Sequence, residues 1–172
     1  MKEKPGMPIL TQRLLLIALS ASSLLLILIA LMMEHYLYLE PCPLCIFQRV
    51  GIISAGCLAA LAALHYPAQL GMRVYASLIV TSFLASTGLA LRQLWLQSLP
   101  EDQVPACGPS LEYLIDVLPF TDVLAIVLNG DGSCAEVAWS LFGLSIPAWV
   151  VVACIPLILV SLQLYRAPRT TS

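Results

Sequence analysis

Residues 14–33 read LLLIALSASSLLLILIALMM, twenty consecutive positions from Leu14 to Met33 without a charge. About 20 mostly apolar residues are what a helix needs to cross about 30 Å of hydrocarbon. Three further runs are similarly apolar: 47–66, uncharged from Val50 to Leu64 with Arg49 near its start, 74–91 (fenced by Arg73 and Arg92) and 144–164, which carries Pro147 and Pro156 inside it. Membrane helices tolerate proline better than soluble ones do. The composition agrees. Of 172 residues 60% are hydrophobic and 10% charged, against roughly 45–50% and about 25% in soluble domains. A net charge of −2 with no basic stripe excludes a nucleic-acid partner. The expectation is an all-α integral membrane protein, a four-transmembrane-helix bundle forming a single domain over 1–172 in membrane lipid.

Lys2, Lys4 and Arg13 precede the first run, as in a signal peptide. Its length exceeds the roughly 7–15 residues of a signal core, and no small-residue cleavage pair precedes Glu34, so it reads as a retained anchor. Small residues at four-residue spacing, Ala55, Ala59 and Ala63 on the second run and Ser82, Ser86 and Ala90 on the third, allow close helix packing. Lys and Arg set the orientation. Lys2, Lys4, Arg13, Arg73, Arg166 and Arg169 fall on one side; Arg49 and Arg92 fall on the other. Both termini are therefore expected in the cytoplasm, with loops 34–46 and 92–143 facing outward. The apolar stretch 111–128 competes as a fifth span. Asp116, Asp122 and Pro119 argue against it, because charges at the centre of a spanning helix cost about 2.5–3.5 kcal/mol each. Short amphipathic helices lying on the outer surface fit better.

Of six cysteines, Cys42 and Cys45 form C-P-L-C where the first loop meets the second span, Cys107 and Cys134 lie in the second loop, and Cys57 and Cys154 fall mid-span, where they read as small core residues. A C-x-x-C motif alone is compatible with zinc, a structural disulfide or redox work. No metal site is expected, since four cysteine ligands would have to come from two loops in an oxidising compartment. The surroundings of Cys45 favour redox chemistry. A helix beginning near Pro43 puts its positive end at this thiol and favours the thiolate. Arg49, one turn on, can steady a thiolate or a developing oxyanion. Forming a disulfide releases two electrons and two protons. Dithiols pass these on by exchange but need a terminal acceptor, and a quinone dissolved in the membrane is one.

The run Leu39-Glu40-Pro41-Cys42-Pro43-Leu44-Cys45 with Gln48-Arg49 resembles the first-loop signature of the disulfide bond formation protein B family, DsbB. Cys107 resembles the family's third cysteine. Gly132-Ser133-Cys134-Ala135-Glu136, with Trp139, Leu141-Phe142-Gly143-Leu144, Pro147 and Trp149, resembles the stretch from its fourth cysteine into its last helix. The likeness runs from about residue 10 to 165.

The resemblance implies a quinone-dependent protein-disulfide oxidoreductase of the bacterial inner membrane with both cysteine loops in the periplasm. It implies redox-active disulfides Cys42–Cys45 and Cys107–Cys134, and ubiquinone or menaquinone held near Cys45 and Arg49. The partner it implies is a DsbA-like periplasmic protein of thioredoxin fold. That relay is the family's own known scheme and comes with the resemblance. In it Cys107 takes the mixed disulfide with the partner, Cys134 attacks Cys42, and the released Cys45 faces the quinone. A histidine that some members carry at the outer end of the third helix has no counterpart in 92–99, where Arg92, Gln93 or Gln97 are the polar candidates. Trp139 resembles a position near the cofactor and reads equally as an interfacial anchor. Two alternatives remain: a scaffold with structural disulfides, and a vitamin K epoxide reductase-like protein, whose C-x-x-C comes late in the bundle.

Overall fold

The computed structural model describes residues 7–106, 108, 111–166 and 169–170. Among them are four helices long and apolar enough to span a membrane: α1 (Ile9–Leu37), α2 (Pro43–His65), α3 (Gln69–Gln97) and α7 (Ile146–Arg166). They contain the four expected apolar runs, apart from a residue or two at the ends. All but α7 begin earlier than the runs, and α1 and α3 also end later. Backbone hydrogen bonding continues through polar turns and stops at local signals, not at the hydrophobic boundary. α1 ends at Tyr38 and α2 at Tyr66, both in the left-handed conformation, and Pro67 follows the second. Pro43 opens α2 at its first position, where a missing N–H leaves no bond unmade. Pro147 sits in the first turn of α7 for the same reason; Pro156 alone is interior.

Among the described residues between α3 and α7, no helix is long enough to cross. α4 (Leu111–Val117) and α5 (Phe120–Asn129) are broken apart at Pro119, and a four-residue helix, α6 (Gly132–Ala135), follows. At 1.5 Å per residue the longer of these reaches about 15 Å, half the depth of the hydrocarbon. A two-residue turn with Phe142 and Gly143 at positive φ then pairs Ser140–Leu141 with Leu144–Ser145 before α7. Both positive φ values suit the twist of such a hairpin.

α1 packs on α2, α2 on α3 and α3 on α7, while α1 and α7 barely touch. The bundle is thus a row curled into an open ring with a seam between first and last helices. Backbone pairing of Met7–Pro8 with Arg169–Thr170 joins the two chain ends at one end of the bundle; the long connections gather at the other. The main core joins Leu16, Leu19, Ile52, Ala55, Ala59, Met72, Phe83 and Cys154. Leucines and isoleucines on the outer faces stay exposed, as lipid-facing residues do. Cys57 belongs to this outer face. The expectation that it packs in the core is corrected: Gly56 beside it meets α1, and one helical step turns Cys57 about 100° from that contact, to an exposed position.

Close approach rests on glycine. A Cβ added at Gly56 would stand 2.7 Å from Ser23 Cβ of α1, whereas at Gly88 it would meet nothing within 4 Å. Gly56→Leu should therefore force α1 off α2, with overpacking costing about 1–3 kcal/mol. Gly88→Leu should be neutral or mildly stabilising, because leucine is the better helix former. Thermal unfolding in detergent checks this: the first variant melts several degrees lower, the second does not.

Candidate active site

A second, smaller core caps the loop end. Leu114, Val123 and Val127 from α4 and α5 fold over Leu44 of α2 and Leu96 of α3, and Cys42 and Cys134 are buried in the same cluster. Amphipathic α5 is thereby fastened across the ends of two spanning helices, and its C-terminal continuation delivers α6. Asp131 caps α6, its carboxylate accepting from the Cys134 amide (3.2 Å) and the Ser133 hydroxyl (2.5 Å). This local chemistry turns Cys134 inward, where it is fully buried.

Three thiols converge there. Cys42, the residue preceding α2, and Cys45 in its first turn hold their sulfurs 2.8 Å apart. Cys134 is buried in the same cluster and shares a hydrogen bond with Cys42. Cys42 is thus the middle member. Its thiol is pushed well above the ordinary range, first by its hydrogen bond to Cys134, then by that to Cys45 and by burial. Cys134 is held below the usual thiol value, chiefly because Cys42 donates to it, with the amides of Leu44 and Asp131 assisting against burial. A proton held by Cys42 favours the thiolate, the nucleophilic form, at the flanking sulfur of Cys134.

Gln93 of α3 reaches the pair directly. Its Nε2 donates to Cys42 Sγ and to Cys45 Sγ, each at 3.4 Å. Its Oε1 accepts from Gln48 Nε2 at 2.9 Å, which fixes which way the amide points. Ser86 donates to the Gln48 carbonyl at 3.0 Å, tying the two helices at the same level. The sequence offered Gln93 only as one of three polar candidates and Gln48 only as part of the first-loop signature, without a role. The available signal was that both polar residues extend the helix faces marked by the small residues.

Below the thiols a groove of about 360 Å³ opens along the seam. Leu26, Ala30 and Met33 of α1 and Ile146, Trp149 and Val150 of α7 line it, and Cys45, Gln48, Arg49 and Gln93 line its thiol end. Arg49 lines the groove beside Cys45. It is ion-paired to Glu34 of α1 and donates to the Ala30 carbonyl at 3.5 Å. Glu34 was not foreseen; a single carboxylate at the end of an apolar run was its only trace. Gln97 and Trp139 also line the groove, and Arg92 does not. Cys107 lies outside the described residues. Of its neighbours, Ala106 accepts from the Gly132 amide at 3.5 Å.

A family model described as "Disulfide bond formation protein DsbB" matches residues 12–164. The chain belongs to the DsbB family. Among curated relatives, a disulfide bond formation protein B of Stutzerimonas stutzeri is 49% identical over 145 residues, covering 84% of this chain and 89% of that protein. One of Saccharophagus degradans is 52% identical over 136 residues, covering 79% and 82%. One of Marinobacter nauticus is 54% identical over 124, covering 72% and 74%. The vitamin K epoxide reductase-like alternative is set aside by this membership. As a DsbB family member with four spanning helices, the chain is a multi-pass membrane protein with a disulfide oxidoreductase role.

The thiol cluster makes a pH prediction. In the reduced protein, Cys134 should become thiolate on the acid side of the ordinary thiol range. Cys42→Ala, which removes the donor, should move that transition toward alkaline pH. Thiolate ultraviolet absorbance followed against pH reads both; an unchanged profile in Cys42→Ala would contradict the assigned donor.

Proposed function

We propose that this protein oxidises a reduced soluble dithiol protein and passes the electrons to a membrane quinone, ubiquinone or menaquinone. The observation that carries the reading is the position of Cys42, between Cys134 on the loop side and Cys45 at the head of an apolar groove. The reactive residues are Cys42, Cys45, Cys107 and Cys134. Their resting bonds are Cys107–Cys134 and Cys42–Cys45.

The sequence of bonds balances. A thiolate of the partner, a periplasmic protein of DsbA-like thioredoxin fold, attacks Cys107. The Cys107–Cys134 bond breaks and Cys134 leaves as thiolate. The partner's second thiol resolves the mixed disulfide, so the partner departs oxidised and Cys107 is a thiol. Cys134 attacks Cys42, breaking Cys42–Cys45 and freeing Cys45 as thiolate. Cys107 then attacks Cys134, restoring the loop-two disulfide and releasing Cys42. Two electrons and two protons now rest on Cys42 and Cys45. Thiol–disulfide exchange of this kind needs only a nucleophilic sulfur and a good leaving sulfur in line.

The groove fits an isoprenoid quinone by its chemistry. Its volume is in the usual range for small-molecule sites, its walls are apolar, and a few polar groups sit at one end. The open seam between α1 and α7 lets a lipid-dissolved molecule enter sideways. Bound there, a quinone supplies a two-electron, two-proton acceptor. Cys45 would face it from the head of the groove, Gln93, which donates to the Cys45 sulfur, would lie at that end, and Arg49 would supply positive charge to a quinone oxygen. The Glu34 carboxylate holds the guanidinium in the groove and away from the headgroups. The family's bacterial membership and the charge bias of the chain support an inner-membrane location with the thiol end in the periplasm.

The test combines purified protein, a reduced C-x-x-C substrate of thioredoxin fold and quinone, with quinone absorbance followed in time. Turnover is expected, and it is lost in Cys45→Ser and Cys107→Ser. Arg49→Ala should raise the quinone KM roughly tenfold, as loss of one charged donor does, while exchange between the loops proceeds at its normal rate. A scaffold with structural disulfides gives no turnover in any form.

A further inference from the structure

The last turns of α3 grip the segment that carries Cys134. Arg92 Nε donates to the Leu128 carbonyl at 3.2 Å and Nη2 to the Asn129 carbonyl at 3.1 Å. Those are the last two residues of α5, whose carbonyls have no partner within the helix. The guanidinium also brings positive charge to the negative end of α5. It lies 4.2 Å from the centre of the Trp95 ring, which limits its freedom to swing away.

One residue on, Gly130 adopts φ +76 and presses on Leu96; a Cβ there would stand 2.3 Å from Leu96 Cδ1. Asp131 follows and caps the turn holding Cys134. Beyond Cys134, the Glu136 carbonyl accepts from Gln97 Nε2 at 3.4 Å. Cys134 is therefore held between two attachments to a single helix. α3 is the same helix whose Gln93, one position from Arg92, contacts Cys42 and Cys45.

We infer that Arg92 is a positioning residue that fixes the Cys134 sulfur against Cys42 by latching the end of α5 to α3. The inference rests on the relay proposed above for its catalytic consequence. The two basic residues at the loop end thus divide the work: Arg49 serves the groove, Arg92 the loop. The guanidinium suits this latch, since two diverging donors can meet two successive carbonyls, which a lysine ammonium does less well.

The test uses the full-length protein in detergent and reads two quantities. The first is the alkylation rate of each buried thiol in the reduced protein. In Arg92→Ala, Cys134 should react roughly tenfold faster. Cys154, equally buried in the main core, should stay shielded and so serves as the control for folding. Gly130→Ala, which loosens the same segment without touching a charge, should share the pattern. The second quantity is quinone reduction driven by two donors. With the protein dithiol, which must pass through Cys134, Arg92→Ala should slow turnover about tenfold. With a small dithiol that reduces Cys42–Cys45 directly, its rate should match wild type.

Unchanged alkylation of Cys134 overturns the inference. So does equal loss with both donors, or exposure of Cys154 alongside Cys134. If wild type reduces quinone with neither donor, the relay itself fails, and the alkylation rates alone then decide whether Arg92 places Cys134.

Discussion

The arrangement depends on a sulfur that two phases can share. Cys42 and Cys45 sit where α2 begins, at the one level of the bundle where the chain leaves lipid and enters the loops. Three consecutive constraints keep them there. Pro43 fixes the first helical position, Gln93 holds both sulfurs from α3, and Cys134 closes on Cys42 from loop two. Were the helix to start one turn later, Cys45 would leave the head of the groove and Gln93 would face backbone. The small residues along α2 and α3 thereby acquire a purpose beyond packing, since only a close helix pair lets Gln48, Ser86 and Gln93 share one layer.

Polar groups in this layer are satisfied by each other. Gln48 binds Gln93, Gln93 binds thiols, and Arg49 binds Glu34. A paired network of this kind, at the edge of hydrocarbon, is rigid because any broken member leaves its partner unmet in low dielectric. The partly buried Arg49–Glu34 pair also spans α1 and α2. It keeps positive charge at the thiol end of the groove while leaving the seam toward α7 open. The thiol pair is thus held by a paired polar network beside an apolar groove.

Much of this was legible in the residues. Twenty uncharged positions from Leu14, the fenced run before Arg92 and the pairing of C-P-L-C with a proline at a helix start are strong local signals. Pro119 and two aspartates rightly argued against a fifth span. What the sequence could not carry is rotation about helix axes. Cys57 and Cys154 look alike in a string of apolar neighbours, yet one faces outward and the other inward. Arg92 and Gln93 are adjacent, so a helix sends them about 100° apart; one reaches α5 and the other the thiols. Glu34 is 15 positions from Arg49, and only the turn between α1 and α2 brings them together.

The central claim is that electrons leave loop two through Cys42 and no other sulfur. Disulfide mapping by mass spectrometry of Cys45→Ser tests it most directly. With its helix partner gone, Cys42 should displace Cys107 from Cys134, so that a Cys42–Cys134 bond accumulates and Cys107 is recovered as a free thiol. Recovery of Cys42 as a free thiol beside an intact Cys107–Cys134 bond would contradict the account, as would a Cys42–Cys107 bond.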